Sequence, residues 1–366
     1  MKKNDSKEFG GSGELRNLRV LVDSAPADGR PIIIAGPCSA ESEEQLMDCG
    51  HQLARCSGVH IFRAGLWKPR THPGGFEGVG ERGIPWLQHV KCSTGLPTAT
   101  EVATAAHVEA ALDGGIDVLW LGARTTANPF AVQDVADAIA ARHANVAVLV
   151  KNPVSPDVEL WYGALQRIYR AGVRRLAAVH RGFATASNTP YRNAPLWQIP
   201  IELKRRCPGL PILVDPSHIG GQRDMVASLS QQALDMGFDG LMIECHPTPD
   251  SALSDSAQQI TPSTLMQMLS QLSIRGTSDS NRELAALRQL IDQCDDELLQ
   301  ALSRRMDVVR QIGQLKRQMG MPIVQTDRFG QILDKRIAQA EEFGLRPDFI
   351  NSIFQTVHQE AVALQL

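Results

Sequence analysis

Eight short apolar segments, the helical stretches between them and a change of pattern after residue 272 predict the fold class of this chain. The apolar segments lie at 31–36, 60–65, 97–102, 118–123, 147–152, 175–182, 211–218 and 240–247. Continuous apolar strands separated by helices indicate a parallel sheet covered by helices, and eight such units are what a closed barrel requires. The sequence therefore predicts an α/β protein, a (β/α)8 TIM barrel followed by a smaller all-α domain.

Helical spacing is present in the connections, at residues 43–55, 102–113, 131–141, 158–171 and 223–236. A doubly wound open sheet is the rival arrangement. The motif Gly78-Val79-Gly80-Glu81-Arg82-Gly83 resembles a dinucleotide-binding loop, but no apolar strand leads into it, so it does not favour that rival.

Composition changes divide the chain into four segments. Residues 1–28 begin with a polar, glycine-rich stretch and are expected to form a flexible leader, 29–272 form the barrel, 273–280 form a polar linker, and 281–366 form the helical domain. A capping box at Ser280-Asn281-Arg282-Glu283 starts a long helix, and breaks at Pro322 and at Gly344 leave two shorter ones. We expect a three-helix domain.

Overall composition excludes several classes of protein. Hydrophobic residues make up 43% and charged residues 21%, the formal charge is −3, and no apolar run approaches the length of a bilayer helix. Neither nucleic acid nor a membrane is an expected partner. The seven cysteines follow no framework spacing, and the N-terminal residues lack a secretory signal, so we expect a cytoplasmic enzyme.

Polar residues close the predicted strands at the end of the barrel where such folds place their active sites. Cys38 follows the first strand, His218 the seventh, Glu244 ends the eighth, and Asp255 lies in the next loop. A thiolate, an imidazole and two carboxylates form a mixed site for a divalent metal ion, and manganese, iron, zinc and cobalt all suit it. Alternatively, Cys38 is a small buried apolar residue and His218 an ordinary loop histidine.

Basic residues close the other strands and indicate an anionic ligand. They are Arg63, Lys68, Arg70, Arg124, Lys151 and Arg181. A cation facing into a barrel is costly unless a phosphate, a carboxylate or an acidic side chain pairs with it. The alternative is a ring of ion pairs with strand-end acids such as Glu101.

These residues belong to motifs that resemble 3-deoxy-D-arabino-heptulosonate 7-phosphate (DAHP) synthase over residues 31–272. The motifs are Gly36-Pro37-Cys38-Ser39-Ala40-Glu41, Lys68-Pro69-Arg70-Thr71, Leu121-Gly122-Ala123-Arg124, Lys151-Asn152-Pro153, His180-Arg181-Gly182, Asp215-Pro216-Ser217-His218 and Glu244-Cys245-His246-Pro247. The resemblance points to the subgroup related to 3-deoxy-D-manno-octulosonate 8-phosphate synthase. In those relatives the second motif resembles Lys-Ala-Asn-Arg-Ser. The motif of this chain, from Lys68 to Thr71, resembles instead that of family members that use erythrose 4-phosphate as the substrate.

The resemblance implies a role for each strand-end residue. It implies that phosphoenolpyruvate contacts Arg63, Lys68, Arg124, Lys151 and Arg181, that Arg70 and Thr71 bind erythrose 4-phosphate, and that Cys38, His218, Glu244 and Asp255 hold the metal. Lys68 is the implied proton donor to the hydroxyl group that forms.

The long C-terminal helix carries cations in its apolar stripe. The stripe is Leu298, Leu302, Arg305, Val309, Ile312 and Lys316. Arg305 and Lys316 share one face about 16 Å apart, whereas Arg288 falls about 100° around the helix and does not easily reach the same pocket within one chain. A coiled coil whose long cations extend to solvent is the alternative.

Residues 281–366 resemble the all-helical chorismate mutases. The matching positions are Leu287-Arg288, Arg304-Arg305, Ile312-Gly313-Gln314-Leu315-Lys316, Pro322-Ile323-Val324, Asp327-Arg328 and Gln365. The resemblance implies a homodimer, or a higher homo-oligomer, in which two chains exchange helices and Arg288 enters the partner's site. It implies that Arg305, Lys316 and Arg328 bind chorismate, and that Gln365 contacts the ether oxygen during rearrangement to prephenate.

This chain departs from the mutase pattern at two positions. Many members carry Asp-x-x-Arg-Glu, where this chain has Gln325-Thr326-Asp327-Arg328-Phe329, without the two carboxylates that usually contact the substrate hydroxyl and its surroundings. We expect a bifunctional enzyme of the shikimate pathway whose helical domain also mediates feedback inhibition by chorismate or prephenate. The alternatives are a monofunctional synthase with a helical regulatory binding module, and an enzyme like the octulosonate 8-phosphate synthases.

Overall fold

The computed structural model describes residues 15–26, 29–68, 74–185, 189–274, 282–323 and 326–366. The chain divides into two compact units, Met1–Gly276 and Thr277–Leu366, and each is described by itself. Across the described residues, no helix combines the length and the apolar character that crossing a membrane requires.

The first unit is a closed barrel of eight parallel strands in sequence order, β1 to β8, which confirms the predicted fold. The strands are β1 Ile32–Gly36, β2 Ile61–Arg63, β3 Thr98–Val102, β4 Val118–Leu121, β5 Ala147–Lys151, β6 Leu176–His180, β7 Ile212–Val214 and β8 Gly240–Glu244. Closure pairs β1 with β8 so that Gly36 lies beside Glu244. The last residues of the two strands therefore meet at one rim.

Helices cover the outside of the barrel. They are α1 Glu43–Ala54, α2 Ile84–Thr94, α3 Ala105–Asp113, α4 Ala123–Thr126, α5 Pro129–Ala141, α6 Val158–Arg170, α7 Gln198–Arg206, α8 Pro216–Gly220, α9 Val226–Asp235 and α10 Pro262–Gln271. The five predicted helical stretches correspond to α1, α3, α5, α6 and α9. The sequence analysis missed α2, α7 and α10, which have prolines at or near their starts and few buried apolar residues.

Part of the predicted leader is packed rather than flexible. Leu21 and Val22 are buried at 1% and 5% exposure and join the apolar residues inside the barrel. The backbone N–H of Arg19 donates to the carbonyl of Arg174, 2.8 Å away. Residues 15–26 thus close the end of the barrel from which strands begin, while residues 1–14 lie outside the described part.

The second unit is helical, as predicted. It comprises α11 Arg282–Gln318, α12 Thr326–Glu342 and α13 Pro347–Ala363. The turn before α13 contains Gly344 in the left-handed conformation, at φ 69°, and α13 begins with Pro347 at its first turn.

Candidate active sites

The carboxyl ends of the barrel strands surround a cavity of about 360 Å³. Its lining is largely charged: Lys68, Glu101, Gly122, Ala123, Arg124, Lys151, Val154, Arg181, Arg192, Asn193, His218 and Asp255. The cavity is thus suited to a small, strongly anionic ligand.

Three of the four predicted metal donors lie together, and the fourth, His218, lies near Glu244 and lines this cavity. Ligand atoms of Cys38, Glu244 and Asp255 all lie within 4.8 Å of one another. Sγ of Cys38 is 3.3 Å from Oδ2 of Asp255, and Nε2 of His218 is 3.8 Å from Oε1 of Glu244. Soft and hard donors therefore meet at one point, a combination that suits a divalent transition metal.

Local backbone geometry places these donors. Gly36 has φ 149°, and a Cβ there would lie 2.1 Å from the carbonyl oxygen of Arg63, so only glycine lets β1 lead so closely past β2 into Cys38. Asp255 lies in the left-handed region with φ 45°, an uncommon conformation for a residue with a side chain. Such strain is typical of positions that the surrounding structure holds for function.

The charge balance of the donors favours a cation among them. Burial, followed by the charge of Glu244, raises the pKa of the Cys38 thiol to about 12. Oε1 of Glu244 is buried and accepts no hydrogen bond from the described residues. A divalent ion would stabilise the thiolate and satisfy that oxygen, so the residues present fit a metal.

Asp215 orients His218 towards the donor cluster. Oδ1 of Asp215 accepts a hydrogen bond from the backbone N–H of His218 at 3.0 Å, and Oδ2 is 2.8 Å from Nδ1 of the imidazole. Nζ of Lys151 donates to the same Oδ2 at 2.7 Å. Nε2 of the ring is the nitrogen nearer Glu244, as expected of a metal ligand with an outer carboxylate partner.

Sequence analysis missed a second group of supporting residues. Nη1 of Arg192 donates to Oδ1 of Asp255 at 3.0 Å and to Oε1 of Gln258 at 2.6 Å, and Nε2 of Gln258 donates to Oε2 of Glu244 at 2.6 Å. The backbone N–H of Cys38 donates to Oε1 of Gln259 at 3.0 Å. The only available sequence signal was a further arginine in the loop after β6.

Four predicted cations line the cavity: Lys68, Arg124, Lys151 and Arg181. Nη1 of Arg181 donates to Oδ1 of Asn193 at 2.6 Å, which aims the guanidinium. Nζ of Lys68 donates to the carbonyl oxygen of Cys38 at 3.2 Å. Burial works against the charge of Lys68, but surrounding acidic groups, Cys38 foremost, raise its pKa, so the ammonium stays protonated.

Arg63 ends β2, as predicted, and is buried beside Glu244. Its side chain is 1% exposed and lies outside the residues that line the cavity. Nη2 is 3.2 Å from Oε1 of Glu244, and the guanidinium lies over the ring of Trp120 at 4.7 Å. Arg63 and Lys151 therefore form ion pairs with strand-end acids, which is the alternative that the sequence left open for the basic residues. Arg70 and Thr71, the predicted ligands of the aldose, lie outside the described residues.

In the helical unit, the candidate residues come from α11 and from the chain end after α13. Nζ of Lys316 donates to the carbonyl oxygen of Ile323 at 2.6 Å, and Nη1 of Arg305 donates to that of Val357 at 3.5 Å. Nε2 of Gln365 donates to the carbonyl oxygen of Ala361 at 2.9 Å, while its Oε1 is buried without a partner among the described residues. Gln365 therefore keeps an unused acceptor.

Two predicted mutase residues remain, Arg288 and Arg328. Arg288 lies on the exposed surface of α11. The side chain of Arg328 and the whole of Gln325 lie outside the described part of the chain. Within one chain, the described residues thus place Arg305, Lys316 and Gln365 in the same unit.

Comparison with known proteins separates the same two parts. The model of the DAHP synthetase I family matches residues 23–277, and that of chorismate mutase type II matches residues 287–366. The phospho-2-dehydro-3-deoxyheptonate aldolase of Thermotoga maritima is 34% identical to this chain over 240 residues. The matched region covers 66% of this chain and 68% of that protein. A 2-dehydro-3-deoxyphosphooctonate aldolase of Syntrophotalea carbinolica is 28% identical over 270 residues, 68% of this chain and 93% of that protein. The crystal structure of the DAHP synthase from Thermotoga maritima matches with a TM-score of 0.61 at 30% identity, covering 70% of this chain and 72% of that one.

Proposed function

The chain belongs to the DAHP synthetase I family, and from this premise we propose that its barrel cavity binds phosphoenolpyruvate and D-erythrose 4-phosphate side by side for condensation. The two activities, DAHP synthase and chorismate mutase, follow from the two matched domains. The observation that carries the proposed site is the arrangement of four cations around one cavity, next to a cluster of metal donors.

Phosphoenolpyruvate fits the cation group because it carries a phosphate and a carboxylate. Arg124 and Arg181 supply planar, permanently charged groups for these anions, and Lys151 supplies a third cation held by Asp215. Arg63 acts indirectly in this proposal, since it neutralises Glu244 at the base of the site. We assign Arg70 and Thr71 to the phosphate of the aldose on the strength of their motif.

The reaction joins C3 of the enol phosphate to the aldehyde carbon of the aldose. The aldehyde oxygen gains negative charge and takes a proton, a donation that we assign to Lys68 because its protonated ammonium lines the cavity. Water adds at C2, and inorganic phosphate leaves from the resulting intermediate. Cys38, His218, Glu244 and Asp255 would hold the divalent metal, which when bound supplies Lewis-acid stabilisation of the aldehyde oxygen.

Erythrose 4-phosphate is the proposed aldose because of the motif from Lys68 to Thr71. Relatives of both kinds, heptonate and octonate aldolases, match the barrel, so overall similarity does not decide the substrate. Turnover of purified enzyme with erythrose 4-phosphate and with arabinose 5-phosphate tests the choice. Faster turnover of arabinose 5-phosphate would show that the motif has been misinterpreted.

We assign the metal site to manganese, iron, zinc or cobalt on the basis of its mixed donors. Metal analysis of protein purified without added ions, followed by reconstitution of the metal-free enzyme with each ion, tests the assignment. All seven cysteines are free, so we also place the enzyme in the reducing cytoplasm. For the domain limits we propose 29–272 for the synthase and 281–366 for the mutase.

Arg305, Lys316 and Arg328 are the proposed ligands of the chorismate carboxylates and ether oxygen, and Gln365 hydrogen-bonds the ether oxygen as it polarises. Nε2 of Gln365 donates to the carbonyl oxygen of Ala361, so in this proposal the amide turns on binding to bring an N–H to the ether oxygen. Replacing Arg305 with alanine should abolish chorismate turnover and leave condensation intact. Loss of both activities would indicate misfolding instead.

A second copy of the chain is the proposed partner of α11. This helix has 37 residues, about 55 Å, whereas α12 and α13 have 17 each, about 25 Å. Several large apolar side chains of α11 are more than half exposed: Leu290, Ile291, Leu298, Leu299, Val308 and Leu315. A partner helix would cover them and would bring the partner's Arg288 to the site.

Feedback inhibition is the proposed reason for the fusion. The two reactions share no intermediate that one site passes directly to the other, so prephenate bound to the helical domain would act by favouring one arrangement of the enzyme. The condensation rate of the full chain should fall when prephenate is added. An Arg305→Ala chain should lose this sensitivity, and equal inhibition of both chains would remove the proposal.

A further inference from the structure

Two aromatic rings meet in the helical unit at a position that the predicted mutase residues do not include. Phe329 on α12 and His358 on α13 are stacked, with ring centroids 3.8 Å apart and planes 18° apart. Both side chains are half-buried. Stacking on Phe329 fixes the plane of the imidazole while leaving its nitrogens at the ring edge.

The imidazole lies within electrostatic reach of the proposed mutase cations. Arg305 donates to the carbonyl oxygen of Val357, the residue before His358. The charges of Arg305 and Lys316, both on α11, act on the His358 ring. From α12 the ring meets Phe329, which is uncharged. His358 therefore borders the group of cations that would bind the substrate carboxylates.

The same surroundings determine the charge of His358. Burial first, and then the positive charges of Arg305 and Lys316, lower its pKa below the ordinary 6.5. At neutral pH the ring is uncharged and offers one donor and one acceptor. It can thus pair with a hydroxyl group without repelling a neighbouring carboxylate.

We propose that His358, held in place by Phe329, contacts the substrate in the mutase site and hydrogen-bonds the hydroxyl group of chorismate. The inference rests on the proposed location of that site around Arg305 and Lys316. Many mutases carry carboxylates at the positions of Gln325 and Phe329, and those carboxylates usually contact the substrate hydroxyl. In this chain the proposal assigns that polar contact to His358 on α13. In this proposal the ring of Phe329 positions His358 by stacking on it.

Titration of His358 in the full-length protein tests the proposal directly. Prephenate, the reaction product, is a dianion that keeps the hydroxyl group, so its binding should offset the charges of Arg305 and Lys316. The pKa of His358 should then rise, as measured by NMR of imidazole-labelled protein with the signal assigned by its loss in His358→Phe. Binding of prephenate without a change in this pKa would overturn the role of His358 alone.

Variants separate hydrogen bonding from packing. His358→Phe keeps a ring to stack on Phe329 and should lower kcat/KM for chorismate about tenfold or more, while His358→Asn, which restores a donor and an acceptor, should recover part of the loss. Gln359→Ala, at an exposed neighbour on α13, is the control and should match wild type. Full activity of His358→Phe would refute the contact. Failure of wild type to bind prephenate by calorimetry would instead remove the proposed site itself.

Discussion

The barrel site and the proposed helical site differ in how firmly the described residues of one chain hold them. In the barrel, strand ends meet around a closed ring. Asp215 accepts a hydrogen bond from His218, and Arg192 and Gln258 donate to Asp255 and Glu244, which fixes the donor cluster. In the helical unit, Arg305 and Lys316 contact backbone carbonyls, and Arg288 lies on the exposed surface of α11.

This difference follows from the two architectures. A closed sheet satisfies its own edges, so residues far apart in sequence are held together by the same hydrogen bonds that form the fold. The long helix α11 exposes several large apolar side chains, which a second chain covers in our proposal. The activity of the barrel site should therefore depend on its own metal donors and the residues around them. The activity of the helical site should depend on the association of two chains.

Removing the metal should have the largest effect and should affect one site only. Chelation, or Cys38→Ala, should lower the condensation rate by about 10³-fold or more, because Lewis-acid stabilisation contributes several kcal/mol. Chorismate rearrangement needs oriented charge and no metal, so its rate should stay unchanged. Consumption of phosphoenolpyruvate and of chorismate in one preparation measures both, with Cys92→Ala at an exposed cysteine as control. Condensation by the Cys38 variant in metal-free buffer would contradict the site.

Disrupting the proposed association of two chains should lower the mutase rate. Leu299 is 64% exposed on α11, and Leu299→Glu would place a charge in the proposed interface. The mutase rate should fall about 100-fold at low protein concentration, because loss of a desolvated charged contact costs about 2–5 kcal/mol. Phe130→Glu, at a residue 83% exposed on the barrel, should leave it unchanged. Sedimentation gives the oligomeric state, and a fully active monomer would rule out the shared site.

Weakening the support of the metal donors should have an intermediate effect. Arg192→Ala removes the hydrogen bonds to Asp255 and Gln258 and should lower metal affinity about 10- to 100-fold. Metal titration of the stripped enzyme measures this, and excess metal should restore most of the rate. Arg205→Ala, which removes an exposed pair with Glu202, is the matched control. Equal affinity in the two variants would show that Arg192 does not position Asp255.

The strand ends could be predicted from sequence because the barrel closes in chain order. Once each apolar run was recognised, the residues after it had to gather at one rim, which grouped Cys38, His218 and Glu244. Arg63 also ended a run, but the sequence could not show that its side chain would reach past β1 and pair with Glu244 on β8.

Contacts made by loops and by packed helices could not be predicted in this way. Arg192 reaches Asp255 from a loop whose path depends on the whole rim. His358 meets Phe329 only because α12 packs against α13, and spacing along either helix does not reveal the pair.

The smallest expected effect comes from the packing of α11 against Gln365 within one chain. Gly313 on α11 faces the chain end, and a Cβ there would lie 2.9 Å from Cγ of Gln365 and 3.3 Å from its Cα. Gly313→Ala should therefore shift Gln365 and lower the mutase rate about tenfold, while condensation stays unchanged. Alanine also favours the helix by about 1 kcal/mol, so thermal stability is a poor measure of the clash, and kcat for chorismate is the measurement. Gly330→Ala on α12 has nothing within 4 Å of its new methyl group and gives the same helix gain without the clash. If both variants keep the wild-type rate, the contact with Gln365 is loose, and the helical site lacks even this fixed element within a single chain.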